Sequence, residues 1–350
     1  MKLHFAWVVV LSYYAGIVYA QLKCKDGAKQ DIDWGVFYVL PGEQKAYAVS
    51  NTAADNWAND KANLTQDDGV LGGLLKPFYD AKDTYNIIAY NDFPPNFRQP
   101  SKCSSPAKGL LGYTDNNGWW LTHSIDKWPD MTGTKYEPPP AGGAGLIVCI
   151  SLPIASMEQW ALAINYQDPV VYYFKSVANA ATSIANRKEL NALTIPAQPV
   201  YTPYVKMVII ENIGGAKVHL FGMLPQGNQD IYSSYMAPVM KQSLIAWTKP
   251  TATEQLIASK CSTVYKVENV KPDSTITVKD VQIKRDQDTA RWVISKKKGA
   301  NAVVCITAGD RTKSSLEKGA GAACIEQQKL HELFFAIAPA KLLEACSTSG

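Results

Sequence analysis

Seven short apolar runs, rich in β-branched and aromatic side chains, recur through both halves of the chain: Trp34–Leu40, Ile87–Tyr90, Leu146–Leu152, Val205–Ile210, Val218–Met223, Arg291–Ile294 and Ala302–Thr307. Runs of this kind read as buried strands. Between them, Lys175–Leu190, Ile231–Trp247 and Glu326–Ile337 carry the alanines and long side chains that favour helix. Pro238 is expected to kink or break the second of these. Strands alternating with helices predict an α/β sandwich with helices outside a central sheet. The Pro/Gly-rich Tyr136–Gly145 and the polar Asn191–Thr202 read as loops. The second loop divides the chain into an N-terminal half, 21–190, and a C-terminal half, 191–350.

Residues 1–20 combine Lys2, an apolar run from Phe5 to Tyr19 and a closing Val18-Tyr19-Ala20, the layout of a cleaved signal peptide. A membrane anchor is the alternative, but the run is short and is interrupted by Ser12, Tyr13 and Tyr14. Secretion places the seven cysteines in an oxidising setting where six pair and one is left over. None has CxxC spacing, which argues against a zinc or iron–sulfur centre. Asn63-Leu64-Thr65 is an N-glycosylation acceptor, expected on a surface loop. The net charge of +4 does not by itself announce a polyanion binder. Two basic runs, Lys284-Arg285 and Lys296-Lys297-Lys298, read either as a phosphate-facing patch or as solvated turns.

Ordered blocks carry a more specific signal. Asp33-Trp34 with Val36–Pro41, then Tyr90–Pro95, Lys108–Leu111, Gly118–Ser124, Leu146–Pro153, and Tyr166, Pro169 and Val170–Tyr172 follow one another in the first half. Asp230-Ile231-Tyr232, Cys261, Arg291-Trp292, Cys305, Asp310-Arg311, Gly319, Gly321 and Cys324 follow in the second. Taken together these blocks resemble the deoxyribonuclease II family over nearly the whole mature chain. The resemblance implies a phospholipase D-like α/β sandwich of two pseudo-symmetric halves, each supplying a His-x-Lys motif to one shared site. It implies chemistry without metal or cofactor: one imidazole attacks phosphorus, the other protonates the leaving oxygen, and the lysines hold the phosphoryl oxygens. It also implies the pairs Cys24–Cys149, Cys261–Cys346 and Cys305–Cys324, with Cys103 free.

The chain departs from that pattern at its chemical centre. Lys108 occupies the lysine position of the first motif, but Pro106 stands where the histidine belongs. Arg291 stands for the second lysine and Thr289 for the second histidine. Asp310 replaces an asparagine, and His123 matches a further family histidine. The residual site is then Lys108, His123, Arg291 and Asp310, without a nucleophile–acid pair. His123 is either a working acid or base or a hydrogen-bonded remnant. This pattern resembles the degenerate family members secreted by parasitic nematodes. It implies a non-catalytic binding protein whose partner is nucleic acid or another polyanion, or a host or self protein reached through Trp119 and Trp120 if these are not core. The alternative is an acid endonuclease with an altered mechanism.

Overall fold

The computed structural model describes residues 22–101, 105–178, 180–195 and 202–345. The leader, Cys103 and Cys346 lie outside the described residues.

Two large sheets organise the chain. The first has eight strands: β1 (Trp34–Val39), β2 (Lys45–Ser50), β3 (Ala62–Asn63), β4 (Asn86–Asn91), β5 (Lys108–Tyr113), β6 (Asn117–His123), β7 (Gly145–Pro153) and β8 (Val171–Lys175). Their order is β8-β4-β5-β6-β7-β1-β2-β3, antiparallel throughout. The second has seven: β9 (Val205–Glu211), β10 (Lys217–Met223), β11 (Leu244–Trp247), β12 (Val267–Asn269), β13 (Trp292–Ser295), β14 (Val303–Ala308) and β15 (Ala320–Glu326). Their order is β9-β10-β15-β14-β13-β11-β12, with only β11 and β12 parallel. All seven runs expected as strands are strands.

Period-two alternation sorts each strand between two cores. In β1, Trp34, Val36 and Tyr38 enter a central core, while Phe37 and Val39 enter an outer one beneath helix α1 (Gly72–Asp80). Trp120 faces the centre and Trp119 the outer layer, so neither tryptophan is available for docking. In the second sheet Trp247, Trp292, Ile294 and Ile306 face the centre. Leu244, Ala246, Val293 and Cys305 face outward, onto the segment around Ile231–Ala237.

The result is a mixed α/β sandwich dominated by sheets, with the layering corrected in one respect. Helices α2 (Met157–Asn165) and α5 (Gln328–Ile337) lie inside, between the two sheets: Trp160, Ala161 and Ile164, and Leu330, Phe334 and Ile337, all join the central core. The short α3 (Lys188–Thr194) adds Leu190 and Leu193.

Two expected helices are also corrected. Within Lys175–Leu190, side chains capture the backbone: the Asn86 carbonyl oxygen accepts the Val177 N–H at 2.9 Å and Ser176 Oγ accepts the Ile184 N–H at 2.9 Å. Regular helix begins only at Lys188. Ile231–Trp247 forms a π turn, Tyr232–Met236, then a single α turn, α4 (Ala237–Met240), where Pro238 sits at the start. The chain then reverses at Lys241, with φ of 53°, and Leu244–Trp247 becomes a strand because it has partners on both sides.

Cys24–Cys149 ties the N-terminus to β7, and Cys305–Cys324 links directly opposed residues of β14 and β15. Cys261 is also disulfide-bonded. The expected pairing with Cys346 and the expected free Cys103 fall outside the described residues. Asn63 lies in the edge strand β3 rather than in a loop, half-buried, with its side-chain oxygen accepting from the Thr65 N–H and hydroxyl.

Candidate active site

The two halves meet where β5 and β6 of the first sheet oppose β13 and β14 of the second. Lys108 opens β5, His123 closes β6, Arg291 immediately precedes β13 and Asp310 follows β14. Pro106, Lys108, His123, Gln167, Arg291 and Thr307 line one shared cavity. Its volume is only ≈20 Å³, about the room one water molecule needs. The space between the cations is therefore a nearly filled seam.

Both cations are occupied. Lys108 is buried and pairs with Asp92 and, at 3.1 Å, with Asp126. Arg291 Nη2 lies 2.8 Å from Asp310 Oδ2. The arrangement repeats between halves. Gly109 pairs with Thr122 and Trp292 with Ile306, so Asp126 and Asp310 stand at matching positions, each four residues past the residue paired beside its cation. Burial alone would lower the Arg291 pKa, but the Asp310 carboxylate outweighs it and holds the guanidinium above its ordinary range. Burial raises Asp310, yet Arg291 and the Lys249 N–H, 2.7 Å from Oδ1, bring it below its ordinary value.

Pro106 and Thr289 are both packed into the seam. Thr289 Oγ donates to the Ala144 carbonyl at 2.9 Å and lies 3.1 Å from Ser124 Oγ, both in the first half. Its proton is committed to a carbonyl, and no base is within reach of it among the described residues. Pro106 packs toward Gly309 of the second half. The proline has no nucleophilic side-chain atom, and the threonine hydroxyl already donates to a carbonyl.

His123 is buried against Trp128, with ring centroids 5.0 Å apart. Its Nδ1 accepts the Ile125 N–H at 3.1 Å, which places the proton of the neutral ring on Nε2. That atom has no partner among the described residues and lies at the cavity. Burial, then the Lys108 ammonium, drive its pKa well below the ordinary histidine value. A ring that resists protonation in the fold but accepts it when unfolded weakens stability as pH falls below about 6.5. His123 should contribute a slope approaching about 1.4 kcal/mol per pH unit there. His123→Gln is expected to flatten this part of the profile in urea unfolding series from neutral to mildly acidic pH. An unchanged profile would show that His123 is protonated in the fold.

Four participants escaped the sequence reading: Asp92, Asp126, Gln167 and Asp288. Gln167 donates to the Phe221 carbonyl at 3.1 Å, and a Cβ on Gly321 would sit 2.1 Å from its side chain. Gly321 is the signal that pointed to this close approach. Neither basic run lines the shared cavity. Arg285 is buried, 4.6 Å over the Trp247 ring and 3.4 Å from Asp288, while Lys296–Lys298 lie in the turn at the far end of β13. Asp230 and Arg311, prominent in the ordered blocks, pair at 2.8 Å, and Asp230 also accepts the Tyr232 N–H at the start of the π turn.

A sequence model of deoxyribonuclease II matches residues 23–340. The rat protein deoxyribonuclease-2-alpha is 23% identical over 340 residues, covering 93% of this chain and 94% of its own. Human deoxyribonuclease-2-beta is 25% identical over 329 residues, 90% of each chain. Cell death-related nuclease 6 of Caenorhabditis elegans is 22% identical over 351 aligned positions, covering 93% of this chain and 90% of its own.

Proposed function

The chain belongs to the deoxyribonuclease II family, and on that premise we propose that it is a secreted, glycosylated member that binds nucleic acid without hydrolysing it. The observation that carries this reading is the pair Pro106 and Thr289 at the two histidine positions, with the Thr289 hydroxyl donated to Ala144. Attack on phosphorus needs a nucleophile activated by a neighbouring base, and departure needs a positioned acid. His123 does not supply such a pair, because it is a single imidazole and burial, then the Lys108 ammonium, lower its pKa well below the ordinary value. The proposed site residues are Lys108, His123, Arg291 and Asp310, kept as the scaffold of a former centre. Secretion is supported by the signal-like residues 1–20 and by the disulfides, and glycosylation by the sequon at Asn63. Among the described residues no helix is long and apolar enough to cross a membrane.

The test is plasmid nicking by the purified protein from acidic to neutral pH with chelator present. No conversion above buffer is expected. Robust metal-independent nicking at acidic pH would falsify the non-catalytic reading and establish the altered-mechanism endonuclease in its place.

A further inference from the structure

We propose that the phosphate backbone of nucleic acid is held at a lysine-lined groove on the end of the second sheet remote from the family centre. The proposal rests on the binding reading above and gives it a location. The chain reverses from α4 into β11 at Lys241, and from β13 into β14 through Lys296–Ala302. These two turns abut: the Lys296 N–H donates to the Ser243 carbonyl at 2.7 Å and Gln242 Nε2 to the Asn301 carbonyl at 2.9 Å. Between them lies a groove of ≈480 Å³ lined by Lys241, Gln242, Lys297, Lys298 and Asn301. Lys266 stands beside it, its N–H donating to Ser243 Oγ at 3.0 Å.

Charge accounting separates this end from the other. Lys241, Lys266, Lys297 and Lys298 are exposed and make no ion pair with the described residues. Of the nearby carboxylates, Glu268 is paired with Lys296 at 2.5 Å, while Glu326 is hydrogen-bonded to His219 at 3.0 Å and Glu332 accepts from the Gln328 amide at 2.9 Å. Lys298 rests its ammonium over the Phe335 ring at 4.5 Å, which orients the charge without neutralising it. At the family centre the reverse holds, since Lys108 and Arg291 each face a carboxylate. Six residues of extended chain separate Arg291 from Lys297, roughly 20 Å, so one bound phosphate cannot touch both ends. Four ammonium groups without a forked guanidinium among them suit point contacts with phosphate oxygens and carry no means of reading bases.

The test is the salt dependence of binding of a short fluorescent duplex at neutral pH, read by anisotropy. Each phosphate contact should contribute a slope of roughly −0.9 in log affinity against log salt. Replacing Lys241, Lys266, Lys297 and Lys298 together by Gln keeps their aliphatic stems and should make the slope shallower by roughly 3.6. A matched variant replacing the ion-paired Lys76, Lys135, Lys175 and Lys188 removes the same formal charge and should leave the slope unchanged. Equal effects in the two variants, no effect in the first, or a wild-type protein without salt-sensitive binding would each overturn the assignment. Nicking of the duplex would end the non-catalytic reading while leaving these slopes to judge the groove.

Discussion

Asp288→Ala is expected to lower the free energy of unfolding by about 3–5 kcal/mol, the range for removing one partner of a buried ion pair. Asp288 is fully buried at the seam. Its Oδ2 accepts from the Tyr38 hydroxyl of the first half at 2.6 Å and from Trp247 Nε1 at 2.8 Å. Its Oδ1 accepts the Ala290 N–H at 2.8 Å. Burial, then the Asp288 charge, hold the Tyr38 phenol well above its usual pKa, so it remains a donor. Alanine would orphan these three donors and leave the buried Arg285 guanidinium without its carboxylate. Urea unfolding should show an earlier midpoint with an unchanged denaturant slope. Asp288→Asn, which keeps an acceptor but loses the charge, should fall between. A loss under about 1 kcal/mol for the alanine variant would remove Asp288 as a tie between the halves.

Asp310→Asn is expected to tighten binding of a short DNA duplex by about tenfold or more at neutral pH, a change of about 1.4 kcal/mol. The asparagine oxygen can still accept the Lys249 N–H, while Arg291 is released from a charge 2.8 Å away. Coulomb energies near a protein surface reach about 4 kcal/mol at 4 Å, so partial solvent screening still leaves the tenfold change within reach. The salt slope should steepen by about 0.9 as one phosphate contact is gained. Unchanged affinity and slope would mean that phosphate does not reach Arg291 even when it is uncovered. Acid alone should not imitate the variant over the mildly acidic range. Because Asp310 titrates below its ordinary 3.8 in the fold, its contribution to stability is present above that value. It is lost only as pH falls through the lower folded value.

The strands were legible because burial on both faces demands continuous apolar side chains, and that demand is written locally in runs such as Leu146–Leu152 and Ala302–Thr307. The residues on which the proposed function rests, Pro106 and Thr289, are likewise identities, readable without coordinates. Helices were less legible because propensity is a weak local preference. Asn86, remote in sequence, captures the Val177 backbone, and two neighbouring strands convert Leu244–Trp247 from apparent helix to sheet. The charge state of the site was invisible in the chain. Asp92 and Asp126 lie on opposite sides of Lys108 in sequence, and only the pairing of β4, β5 and β6 brings both to its ammonium. Arg285 reads as a surface cation until the Trp247 ring and Asp288 close around it. The sequence alone thus determined which strands form and which residue identities, Pro106 and Thr289 among them, stand in or beside the family blocks. Tertiary structure decided which of the remaining charges can meet a ligand, because a charge pair is a contact between distant elements and its strength depends on burial and separation that only the packed fold sets.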